Sequence, residues 1–182
     1  KRGVAVSGEA TPHHIALSDA DVRADDTNFK MNPPLRSEDD RLAIAKAVAD
    51  GTLEALATDH APHRAEDKAA GFKLAPFGVV GLETAVGVTY TFLVKSGAMT
   101  LRDWLARWTI GPARILGLPP PSLSPGAPGD VVALDLENEW IVDSRKFLSK
   151  SRNTPFEGRR LIGRATRVFL RGVPTWRRAT GC

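Results

Sequence analysis

Two short apolar runs in this sequence are each followed at once by a proline-stopped loop that carries histidines. That pairing constrains the fold more than any other feature. Val4-Ala5-Val6 leads into Glu9-Ala10-Thr11-Pro12-His13-His14, and Leu53-Glu54-Ala55-Leu56-Ala57-Thr58 leads into Asp59-His60-Ala61-Pro62-His63. The apolar runs read as strands, and Pro12 and Pro62 as their stops. Between them Ser37 to Asp50 has a helical pattern. Ser37 caps the first turn with Asp40 three residues on, Leu42, Ala45 and Val48 form one stripe, and Gly51 ends it. A strand, a helix and a second strand, with polar residues gathered just after each strand, is the order of a parallel α/β unit. The chemistry of such a unit sits at the carboxyl ends of its strands.

The chain beyond the second loop extends the pattern. Leu82 to Ser96 is apolar on most faces and stops at Gly97, which predicts a largely buried helix. Another helix starts at Thr100, with Asp103 as its capping partner and Leu101, Leu105 and Trp108 as its expected inner face, and breaks at Gly111-Pro112. A short helical turn follows from Pro112 to Leu116. Leu118 to Gly129 is rich in Pro, Ser and Gly and reads as a linker. After it the period changes: Val131 to Leu134 and Trp140 to Val142 flank a polar turn at Glu137-Asn138-Glu139, and Thr166 to Leu170 alternates apolar with basic residues. Residues 1–118 are thus expected to form a parallel α/β unit and 119–182 a small β-sheet region.

Composition narrows the class of function. With 42% hydrophobic and 25% charged residues the chain is globular, and no stretch reads as a signal peptide or a membrane span, so a reducing cytoplasm is expected. A single cysteine, Cys182, excludes an internal disulfide framework and a Cys-based zinc site. The net charge of +4 comes largely from arginines in the last quarter. They lie on no nucleic-acid module, so nucleic acid is not an expected partner.

Asp59 is the residue with the most chemical promise. A carboxylate at the end of a barrel strand can ligate a divalent metal and act as a general base toward water. It can equally do no more than cap the turn before Pro62. His13 and His14 can be ligands or can satisfy backbone carbonyls. In Asn28 to Arg36 two prolines fix an extended path, while Asn32 offers both a donor and an acceptor suited to a planar amide. Pro76-Phe77-Gly78 can bring its backbone close to a ligand because Gly78 lacks a side chain. Each of these loops also reads as a plain connector.

Taken together, the motifs resemble a known family. Ala57-Thr58-Asp59-His60-Ala61-Pro62-His63, preceded by Asn32-Pro33-Pro34-Leu35-Arg36 and followed by Ala75-Pro76-Phe77-Gly78 through Gly81-Leu82-Glu83-Thr84, is similar to the class I dihydroorotases of the amidohydrolase superfamily. The likeness continues through Glu9 to His14, Pro112 to Gly117 and Ser149 to Phe156, so it covers nearly the whole chain. It departs at Met31, where Val is usual, at Gly111, where Asn often precedes the proline, and in the Arg-rich tail.

The resemblance implies a TIM-like (β/α)8 metallohydrolase barrel with a small β-sandwich, of which this chain carries the last two barrel strands and the C-terminal sandwich strands. A barrel of that kind needs roughly 250 residues, so the gene product is expected to be longer by more than this chain's own length. The family's His-X-His pair, its bridging carboxylate and two further histidine ligands are then expected upstream. The resemblance also implies one or two zinc ions, Asp59 as metal ligand and catalytic base, and Asn32, His63 and the Phe77-Gly78 backbone as substrate contacts. The activity implied is the reversible hydrolysis of dihydroorotate to N-carbamoyl-aspartate in pyrimidine biosynthesis. A homodimer or a complex with aspartate transcarbamoylase is the assembly implied. Two rivals remain open. One is another cyclic amidohydrolase, a hydantoinase or allantoinase, and the other is a non-catalytic dihydroorotase-like subunit that scaffolds aspartate transcarbamoylase.

Overall fold

A computed structural model describes residues 4–178. Cys182 and the end of the basic tail lie outside them. Strands β1 (Glu9–Ala10) and β2 (Ala55–Leu56) pair in parallel, with Glu9 opposite Ala55 and Ala10 opposite Leu56. The first strand therefore forms later in the chain than the Val4 to Val6 run suggests. Val4 and Val6 are 72% and 82% exposed, because nothing among the described residues packs over them.

Pro12 opens a helix instead of ending regular structure. Helix α1 (Pro12–Ala16) starts with proline at its first position, where the missing N–H costs nothing, and Thr11 caps it by accepting from the His14 amide. Two single turns of 3₁₀ helix, at Asp19–Asp21 and Thr27–Phe29, lead on toward helix α2 (Glu38–Asp50). That helix begins and ends as expected: the Ser37 hydroxyl accepts from the Asp40 amide, and Gly51 closes the helix at φ 85°. Ala45 and Val48 are buried, but Leu42 stays half exposed at the edge of the stripe.

After β2 come α3 (Ala65–Lys68), α4 (Ala85–Thr89), which continues as a π-helical stretch over Tyr90–Lys95, then α5 (Leu101–Trp108) and α6 (Ile110–Ile115). The buried face of α5 differs from the expected one. Trp104 is buried, with Trp108 partly so, while Leu101 and Leu105 are each 40% exposed. The cause is a polar anchor. Both indole N–H groups donate to the Thr89 hydroxyl, at 2.9 and 3.2 Å, and this fixes the rotation of the helix.

The C-terminal part is an antiparallel sheet in the order β3 (Val131–Ile141), β4 (Arg160–Leu170), β5 (Val173–Arg177). Glu137 to Glu139 do not separate two strands. They form an irregularity within one long strand, whose register against β4 shifts between Asp135 and Glu139. One core cluster, with Ile15, Val48, Leu56, Leu93 and Trp104, lies under the parallel pair. A second combines Met31, Val79, Val80 and Val88 with Val142, Phe156 and Leu161, so the α/β part and the C-terminal sheet share one apolar interior. Among the described residues no helix is long and apolar enough to cross a membrane.

Candidate active site

The loops that leave the carboxyl ends of β1 and β2 meet at one end of the parallel pair. Asp59 adopts φ 48°, a left-handed conformation that aspartate tolerates better than most residues and that strained functional positions often show. Its carboxylate is half exposed, with one oxygen 3.6 Å from Nε2 of His13. His13 is fully buried, and that Nε2 has no hydrogen-bond partner. Burial, followed by the adjacent His14, pushes its imidazole down to about 3, so it stands neutral beside the carboxylate.

The other three histidines are tied into the scaffold. His14 Nε2 donates to the Pro33 carbonyl at 2.8 Å, and its Nδ1 accepts from the Thr11 hydroxyl at 2.7 Å. The loop after β1 is thereby fastened to the segment that carries Asn32. Asn32 itself is exposed, with a cis bond to Pro33. His60 Nδ1 accepts from the amides of Gly81 and Leu82. His63 Nε2 donates to the Phe77 carbonyl at 2.9 Å, which leaves Nδ1 for a ligand.

Gly78 shows why this crossing of loops needs glycine. It adopts φ 117°, and a Cβ there would stand 2.5 Å from that of Ala61. Its N–H donates to the Lys30 carbonyl, and its own carbonyl accepts from Lys68 and Asn153. Both backbone groups of Gly78 are thus engaged within the chain. Phe77 N–H, by contrast, has no partner among the described residues, on a residue 57% exposed.

Asn153 and Lys68 are the residues that reading the sequence residue by residue passes over. Asn153 is buried. Its amide donates to the carbonyls of Ala61 and Gly78, its side-chain oxygen accepts from the His63 amide, and its carbonyl accepts from the Val80 amide. It therefore couples the Asp59–His63 loop to the Phe77–Gly78 loop. Its place in the Ser149 to Phe156 motif was the available signal. Lys68 closes a helix of charged residues and carried no such signal.

Among the described residues, no group of three or more His, Cys, Asp or Glu side chains could hold a metal ion. The half-exposed Asp59 carboxylate, approached among the described residues by the neutral His13 ring, fits the role of one ligand in a set completed by other residues.

A model of the amidohydrolase family matches residues 3–173. A dihydroorotase of Anaeromyxobacter dehalogenans (strain 2CP-1) is 53% identical over 174 residues, covering 94% of this chain and 40% of that protein. A dihydroorotase of Bacillus caldolyticus is 48% identical over 179 residues, covering 97% of this chain and 41% of that protein. Among solved structures, the D-hydantoinase (dihydropyrimidinase) of Thermus sp. superposes with a TM-score of 0.88 at 25% identity, over 97% of this chain and 40% of its own. The L-hydantoinase (dihydropyrimidinase) of Arthrobacter aurescens gives 0.85 at 27%, over 94% and 39%. The chain thus spans about 40% of the length of the relatives it matches. The fold is the corresponding part of a TIM-like amidohydrolase barrel with strands of the accompanying sheet domain. With a family model that runs through both the helical part and the C-terminal sheet, this chain belongs to the amidohydrolase family.

Proposed function

We propose that this chain supplies the proton-transfer and substrate-positioning groups of a dihydroorotase, which opens the ring of dihydroorotate to N-carbamoyl-aspartate and closes it in reverse. The observation that carries this reading is the contrast in similarity. Over the aligned stretch, relatives named dihydroorotase are 46–53% identical to it, whereas the hydantoinases of the same fold are 22–27% identical. A hydantoinase-like or allantoinase-like activity is correspondingly the weaker reading. We take residues 1–118 as the barrel share and 119–182 as the sheet domain, with the remaining metal ligands outside this chain.

Asp59 accepts a proton from the attacking water as the water oxygen adds to the ring carbonyl carbon. The carbon–nitrogen bond then breaks, and Asp59 returns that proton to the departing nitrogen while the new carboxyl group loses the second water proton to solvent. A divalent metal, taken to be zinc with Asp59 as one ligand, supplies acidification of water and polarisation of the carbonyl. His63, fixed through Nε2 to Phe77, presents Nδ1–H to the substrate carboxylate when protonated. Asn32 and the Phe77–Gly78 segment face the ring amides, with Phe77 N–H as the donor and Gly78 allowing that backbone its close approach. In the cell we place the complete enzyme in the cytoplasm, as a homodimer or beside aspartate transcarbamoylase.

The test is hydrolysis of dihydroorotate, hydantoin and allantoin by the complete enzyme, with Asp59→Asn in parallel. Dihydroorotate is expected as the preferred substrate, with kcat falling by about 10²–10⁴-fold in the variant. Preference for hydantoin or allantoin would transfer the assignment to that cyclic amide. A folded protein that contains no zinc and turns over none of the three would point to a scaffold.

A further inference from the structure

The backbone around Phe77 is held by a buried lysine. Lys68 is only 5% exposed, although it ends a helix whose other charged residues, Glu66 and Asp67, face outward. Its ammonium donates to the carbonyls of Gly78 at 3.0 Å, Pro76 at 3.1 Å and Lys30 at 3.4 Å. Three donors meet three acceptors, which is the whole capacity of the group. The environment otherwise disfavours a cation here. Burial, and then the charge of Lys30, push Lys68 down to about 8. Lys30 in turn donates to the Lys73 carbonyl at 3.1 Å, with its ammonium 4.6 Å above the centre of the Phe77 ring. A buried cation that meets only carbonyls is costly, so its retention calls for a role.

The carbonyls identify that role. Lys30 lies two residues before Asn32, and Pro76 and Gly78 flank Phe77, so one ammonium ties together the two segments proposed to read the substrate ring. We infer that Lys68 is a positioning residue that sets the spacing between the Asn32 side chain and the Phe77 backbone. The inference rests on the reading of those groups as substrate contacts. Lys68 does not touch substrate, since its three donors are engaged by the chain itself. Asn153 donates to the same Gly78 carbonyl, at 3.2 Å.

Saturation kinetics of the complete zinc-loaded enzyme on dihydroorotate test this with Lys68→Met, Lys68→Arg and Asn32→Ala. Lys68→Met is expected to raise KM by about tenfold or more while kcat changes by less than about threefold, the signature of lost substrate positioning. Lys68→Arg, which keeps the charge in a planar fork, is expected to recover part of that loss. An unchanged KM in Lys68→Met, or a fall in kcat alone that tracks the folded fraction in a melting curve, overturns the inference. If Lys68→Met does not fold, Lys68→Arg is read on the same scale. Failure of both to fold makes the residue structural and overturns the inference too. Asn32→Ala separates the two levels. A raised KM there beside an unchanged KM in Lys68→Met removes the inference alone, whereas an unchanged KM in Asn32→Ala removes the substrate-contact reading and the inference with it.

Discussion

Gly78 stands under two independent constraints, a positive φ and a neighbouring methyl group with which any Cβ would clash, and they can be separated. Gly78→Ala is expected to destabilise the complete enzyme by more than about 1 kcal/mol, since both constraints oppose it. Adding Ala61→Gly removes the clash but not the backbone strain. The double variant should therefore recover part of the loss in a denaturant titration, and no recovery would mean that the φ angle alone sets the cost. At this scale the sequence was informative where a residue type implies its own geometry. Gly78 and Asp59 were visible because glycine permits close approach and a carboxylate after a strand points to chemistry. Lys68 was not, because a lysine beside Glu66 and Asp67 reads as a solvated face, and its burial depends on three carbonyls 8, 10 and 38 residues away.

Among the elements, Thr89 is the joint between α4 and α5. Its hydroxyl donates to the Ala85 carbonyl at 2.7 Å and accepts from Trp104 and Trp108, so all its hydrogen-bonding capacity is used in a fully buried position. Thr89→Val keeps the shape but strands two indole N–H groups. The expected cost is about 2–4 kcal/mol, read from chemical denaturation of the complete enzyme, and a cost near zero would show that the indoles find other partners. Both ends of α2 and the start of α5 were legible because caps are local: Ser37, Gly51 and Thr100 act within one turn of their own position, whereas the break expected at Gly111-Pro112 lies at Thr109 and α6 runs through that pair. The inner face of α5 was not, since Trp104 gains its partner from another helix. Gly111, a departure from the family pattern, also has a tertiary cause. A Cβ there would stand 2.0 Å from the Glu54 carbonyl just before β2, so α6 docks at a distance only glycine allows.

The whole molecule leaves apolar surface uncovered. Val4, Val6, Leu123 and Leu148 are 72–84% exposed, and the parallel pair is two residues long on each strand. A polypeptide of residues 1–182 alone is accordingly expected to self-associate and to bind an apolar dye; a sharp cooperative melt as a monomer would contradict that. The alternation of strand, α2 and strand and the presence of helices in the α4 and α5 regions were readable from periodicity, whereas the short helices α1 and α3 were not, and neither was β3 as one irregular strand, because its continuity comes from pairing with β4. The shared interior built from Val79, Val80 and Val88 on one side and Val142, Phe156 and Leu161 on the other has a further consequence for covalent continuity. The exposed segment from 118 to 126 is a natural place for a protease to cut. A single cut there should leave two pieces that travel together through a sizing column and part only in denaturant, since packing, more than the peptide link, keeps the sheet beside the barrel.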